Sequence, residues 1–135
     1  MSISEGSRGY TDFEEWLRRA FATQGCFTTL VVLVWIGETR VGTLASTYFN
    51  IIGDDTNWSE IVALFDGAGQ DWNGAAFFPV FDAKGLLERA KAHSCLRQIE
   101  ERVRVDRLVL NEGEFFDKLG RRLKIDEVTS HALDG

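Results

Sequence analysis

"TTLVVLVWIGETRVGTLASTYFNII", Thr28 to Ile52, is the stretch whose reading decides the fold. Its first part, Thr28 to Ile36, is rich in β-branched residues and apolar at successive positions, the pattern of a strand buried on both faces. Gly37-Glu38 then reads as a two-residue hairpin turn, with the chain returning through Arg40 and Val41. The remainder is ambiguous. Leu44, Tyr48 and Ile51 fall at helical spacing before a terminating Gly53, whereas Thr47, Tyr48 and Phe49 suit a strand. The spacing favours a short helix over Thr43 to Ile52.

Elements on either side give that strand its cover. Upstream, Thr11 and Glu14 form a capping-box pair, in which each side chain satisfies an exposed backbone donor of the other. Phe13, Trp16, Leu17, Ala20 and Phe21 then make one apolar helical face, and Gly25 is a natural stop. Downstream, Asn57 and Glu60 repeat the capping pattern ahead of Trp58, Ile61, Val62 and Phe65, with Gly67 ending that helix. Ala75 to Phe81 reads as a strand, and Pro79 inside it predicts a sheet edge or an irregularity, because proline has no N–H to give to a ladder. A long helix is predicted from Leu86 to Arg107, with Ala92, Leu96, Ile99 and Val103 as its buried stripe. Leu108 to Leu110 reads as a short strand. Glu114 to Ile125 reads as a hairpin whose Asp117 to Gly120 makes a type I turn closed by a glycine bulge.

The chain has 135 residues, no low-complexity linker and an apolar fraction of 44%, which together point to a single domain. The first nine residues and Ser130 to Gly135 are expected to fray. The fold class expected is α+β, a mixed or antiparallel sheet of about four or five strands packed by three or four helices. A more regular α/β arrangement with a βαβ unit, built from the strand at Thr28, the helix at Asn57 and the strand at Ala75, is the alternative.

Charge is distributed unevenly. Val41 to Ala83 contains no Lys, Arg or His but holds Asp54, Asp55, Glu60, Asp66, Asp71 and Asp82. Outside it, fifteen acids balance fifteen bases, so the formal charge of −6 arises in the middle third. The same window carries half of the aromatic residues, Trp58, Phe65, Trp72 and Phe77 among them. Nucleic acid is held by Lys and Arg, so no nucleic-acid partner is expected; a basic protein partner is. The arginines of the long helix alternate with Glu100, Glu101 and Asp106, a mixed solvated face. The apolar runs fall short of a bilayer span and no leader pattern opens the chain, so the expectation is a cytoplasmic protein without a membrane partner. Two cysteines, Cys26 and Cys95, are expected as reduced thiols.

The stretch most like a site is "DGAGQDWNGAAFFPVF", Asp66 to Phe81. Its glycines fail the phosphate patterns: Trp72 stands where GxGxxG needs its third glycine, and Ala75 and Ala76 stand where a P-loop needs Lys and Ser/Thr. The loop also leaves a helix and enters a strand, the reverse of phosphate loops. Asp71-Trp72-Asn73-Gly74 starts like a calcium loop, but glycine arrives fourth and Ala75 holds the fifth place. His93 and Cys95, about 200° apart on a helix, cannot face each other. Neither a metal nor a cofactor is therefore expected. The leading functional expectation is a non-enzymatic, inhibitor-like or immunity-like interaction module using an acidic, aromatic-rich face, with homodimerisation as a further possibility. The alternative is a small-molecule binder or enzyme with a pocket walled by Trp58 and Trp72, to which Asp66, Asp71 and Asn73 lend polarity.

Overall fold

The computed structural model describes residues 10–125; the frayed ends expected at 1–9 and 130–135 lie outside the described residues. The chain forms an α+β fold around one antiparallel four-stranded sheet. In order, the elements are α1 (Asp12–Gln24), β1 (Phe27–Ile36), β2 (Val41–Ile51), α2 (Trp58–Asp66), β3 (Gly74–Val80), α3 (Arg89–Val105), a 3₁₀ helix (Arg107–Glu112) and β4 (Glu114–Asp117). The strands lie in the order β2-β1-β3-β4, and every neighbouring pair is antiparallel. That excludes the βαβ alternative.

Strand β1 is interior, and alternation along it builds two cores. Phe27, Val31 and Leu33 point to one face, where Phe13, Trp16 and Leu17 of α1 and Trp58, Ile61 and Phe65 of α2 meet them. Leu30, Val32 and Val34 point to the other, under Leu96, Ile99 and Val103 of α3 and Val109 and Leu110 of the 3₁₀ helix. Aromatic rings dominate the first core: Phe13 lies 4.8 Å from Trp58 and 5.1 Å from Phe77, centroid to centroid. Such tilted pairs add to what simple burial supplies.

The stretch from Thr43 to Ile52, expected as a helix, is strand β2 through Ile51, paired to β1 from Phe27↔Ile51 to Ile36↔Val41. A bulge explains the misleading spacing. The register shifts at Leu33/Val34, leaving Leu44 as the extra residue. Val41 consequently packs toward α3, while Ala45, Phe49 and Ile51, also odd-numbered, pack toward α1 and α2. One inserted residue broke the period-2 signal, and hydrogen bonding to β1 overrode a weak local helical pattern. The pairing also centres the turn on Glu38-Thr39, one residue later than expected, with the Gly37 N–H donating to the Arg40 carbonyl at 2.8 Å.

Other expectations shift less. Leu108 to Leu110 is 3₁₀ helix and not strand, because the Asp106 carboxylate accepts from the Leu108 N–H at 3.0 Å and turns the chain. Strand β3 is interior, yet β4 pairs only with Gly74 to Phe77, so Pro79 has a neighbour on the β1 side alone. The proline sits where its missing N–H costs no ladder bond to β4. The turn at Asp117 closes as expected: Gly120 has φ +78° and donates to the Asp117 carbonyl at 2.9 Å.

Candidate interaction surface

The residues expected to form a pocket are mainly joints of the fold. Trp58 and Trp72 are 4% and 1% exposed, so Trp72 is core, while Trp58 contributes an edge to the cleft where α1, α2 and the turn at Lys118 meet. The indole N–H of Trp72 donates to Asp66 Oδ1 at 2.9 Å, and the Lys118 ammonium reaches the same oxygen at 3.2 Å while lying 5.0 Å over the Trp72 ring. The indole hydrogen bond first, and then Lys118, hold the Asp66 carboxyl below the usual aspartate range. Asn73 clamps the end of β1: its Oδ1 accepts from the Ile36 N–H at 2.7 Å, and its Nδ2 donates to the Ile36 carbonyl at 3.0 Å. Asp71 is exposed and stands apart from this cluster. The structure thus brings Asp66, Trp72 and Trp58 together around Lys118, holds Asn73 at the strand end, and leaves Asp71 in solvent.

Two polar residues, neither among the expected site residues, carry more of the architecture. Glu14 is 8% exposed. One carboxylate oxygen accepts from the Thr11 N–H at 3.0 Å, completing the capping box, and the other accepts from the Trp58 N–H at 2.6 Å. One side chain therefore satisfies the first turns of both α1 and α2, and the positive ends of two helix dipoles converge on it. The Trp58 indole N–H donates to the Lys118 carbonyl at 2.8 Å and completes the joint. Thr28, fully buried, donates to Asn50 Oδ1 at 3.0 Å and accepts from the Leu87 N–H at 2.9 Å. The capping pattern announced half of the Glu14 role; nothing local announced the other half, 44 residues away.

The two edges of the sheet differ. Strand β4 is four residues long, and the arm after its turn folds back along it. Asp117 N–H donates to the Arg121 carbonyl at 2.9 Å and Leu123 N–H to the Phe115 carbonyl at 2.8 Å, so that edge is covered by a segment bearing Arg121, Arg122 and Lys124. Strand β2 is eleven residues long and, among the described residues, pairs on its β1 side alone. It contains no charged residue and no proline, the devices by which exposed edges are ordinarily protected. A groove of about 270 Å³ runs beside it on the α1/α2 face, lined by Ala45, Thr47, Phe49, Leu64, Phe65 and Ala68. Leu64 is 56% exposed at its rim. On the opposite face Ser46 hydrogen-bonds Glu100, and the Tyr48 ring lies 5.5 Å from His93, so α3 borders the edge there.

A wider, shallower cleft of about 530 Å³ opens where α1, α2 and the turn at Lys118 meet. Neither Asp66 nor Asp71 lines it or the groove beside β2. No helix among the described residues is long and apolar enough to cross a membrane. No protein-family model, no curated protein and no solved structure matches the chain.

Proposed function

We propose that the chain is a non-enzymatic protein-interaction module whose contact surface is the outer edge of β2 with the groove beside it. The observation that supports this is the uncharged, eleven-residue edge, which is open among the described residues. A row of outward N–H and C=O groups is a template for another strand, and an apolar groove alongside supplies side-chain specificity. Both parts belong to the base-free window from Val41 to Ala83. The absence of Lys and Arg there, which first suggested an acidic face, is also what leaves the edge unguarded. The aromatics of that window are mostly core, and Asp66 is paired with Lys118. Of the window's other acids, Asp55, Glu60 and Asp71 are exposed, which would favour a basic partner over an acidic one.

Amide hydrogen exchange on the full chain at high dilution tests the reading. The outward amides of β2 are expected to exchange fast, while the inward ones, bonded to β1, exchange slowly. Uniform slow exchange along β2 at every dilution would mean that the chain covers its own edge, and the reading would fail.

A further inference from the structure

We infer that the partner on this edge is a second copy of the same chain, joined by antiparallel β2–β2 pairing into a two-fold symmetric dimer with one continuous eight-stranded sheet; the inference rests on the reading of β2 as an interaction edge. Three features favour self-pairing over a foreign strand.

The first is closure. Among the described residues only one edge of the sheet is open, because β4 is short and the arm through Leu123 lies along it. Two copies meeting through β2 use up both open edges and leave none for a third. Such an isologous contact stops at two and does not propagate into a fibre. A long uncharged edge is a liability for a monomer and none for a closed pair.

The second is that the flanking shape is self-complementary. A two-fold axis perpendicular to the sheet brings like faces together, so α2 approaches the α2 of the other copy. The patch presents both a projection, Leu64, and an apolar groove, with Phe49 and Ala68 in its wall. Each copy can place its leucine at the groove of the other.

Charge on the opposite face is the third. His93, Arg97, Glu100 and Arg104 fall at i, i+4, i+7 and i+11, one stripe of α3. The contacts to Tyr48 and Ser46 set that stripe beside the β2 edge. Arg97 and Arg104 stand one turn to either side of Glu100. Arg104 is held by Glu101 of its own helix, so a mate running in the opposite direction can set its Glu100 against Arg97, and the strand itself contributes no like-charge repulsion.

Sedimentation velocity of the full chain across a concentration series, read with hydrogen exchange at each concentration, decides the matter. The expected result is a species of twice the 15.2 kDa of one chain, with outward β2 amides that slow as it forms. Leu64→Lys and Thr43→Lys change exposed positions, and each is expected to weaken dimerisation roughly thirtyfold, the loss of one strong interface anchor. Leu119→Lys, at an exposed site on the Lys118 turn, should leave it unchanged. A monomer at all concentrations with fast β2 amides would overturn the dimer and leave the interaction-edge reading intact. A monomer with slow β2 amides would overturn both. A dimer equally stable in Leu64→Lys and Thr43→Lys, with β2 amides still fast, would place the contact elsewhere and overturn the inference.

Discussion

Replacing Glu14 with alanine tests whether one carboxylate holds two helices together. The side chain accepts from the Thr11 N–H at 3.0 Å and from the Trp58 N–H at 2.6 Å, and it is 8% exposed. Hydrogen bonds to an ionised acceptor contribute about 1.5–3 kcal/mol each. Water can rehydrate the half-buried Thr11 N–H, so the loss there falls at the low end. The Trp58 N–H begins a helix beneath buried aromatics, and leaving it unpaired costs about 1–3 kcal/mol. Glu14→Ala is therefore expected to lose about 3 kcal/mol, which for a chain of this size lowers Tm by roughly 10 °C. Glu14→Gln keeps one acceptor oxygen but turns an NH₂ toward the second donor, and should lose about 2 kcal/mol. Urea denaturation followed by tryptophan fluorescence is a suitable assay, since Trp16, Trp58 and Trp72 are all buried. The slope m should not change. Glu15→Ala, one residue on and exposed, should cost under about 0.5 kcal/mol. A loss below about 1 kcal/mol for Glu14→Ala, or an equal loss for Glu15→Ala, would refute the bridging role.

Three further outcomes follow from the same coordinates. Thr28→Val strands the Leu87 N–H and should cost about 1–3 kcal/mol, while Thr28→Ser should recover most of that in the same urea titration. Gly25 and Gly120 both have positive φ, but a Cβ at Gly25 meets open space and one at Gly120 would stand 2.7 Å from Thr11 Cβ. Gly25→Ala is thus expected to cost about 1 kcal/mol and Gly120→Ala clearly more, with equal melting losses contradicting the close approach. Asp66 is held below its ordinary pKa of 3.8 by the Trp72 indole and Lys118. Its stabilisation is present above the unfolded pKa and fades as pH falls through the folded one. The stability gap between wild type and Asp66→Asn should therefore be constant above about pH 5 and close at lower pH, and a gap that persists unchanged to pH 2 would contradict this.

Where one element's own residues carry the signal, the sequence was a sound guide. The capping box of Thr11 and Glu14, the stripe Ala92, Leu96, Ile99 and Val103, and the glycine-closed turn at Asp117 stand as read, while of the Asn57/Glu60 pair only the Asn57 cap on the Glu60 N–H forms. Failures came where a distant partner decides. The bulge at Leu44 exists only against β1, so β2 carried a pattern that looked helical. The burial of Trp58 was not legible locally, because Phe13, Phe77 and Phe116, distant in sequence, pack around it. Lys118, from another part of the chain, pairs with Asp66, a contact of which the base-free window gave no sign. Charge along a sequence is not charge across a surface. The open edge was illegible for the same reason: a strand is an edge only by virtue of which strands lie beside it.

The clasp at the start of α1 bears on how the chain folds as it is made. The Phe13 N–H donates to the Gly120 carbonyl at 3.2 Å, the Asp12 carboxylate accepts from the Arg122 N–H at 2.9 Å, and Glu14 waits for Trp58. Helix α1, the first helix of the described residues, thus finds its last partners only after 110 further residues have been synthesised. Until then Phe13 and Trp16 lack the part of their cover that Phe116 supplies, and the nascent chain carries an incompletely covered apolar helical face that a chaperone can hold. Native docking of that face is in effect a post-translational event, and a shortened chain ending before Lys118 would be a natural substrate for quality control.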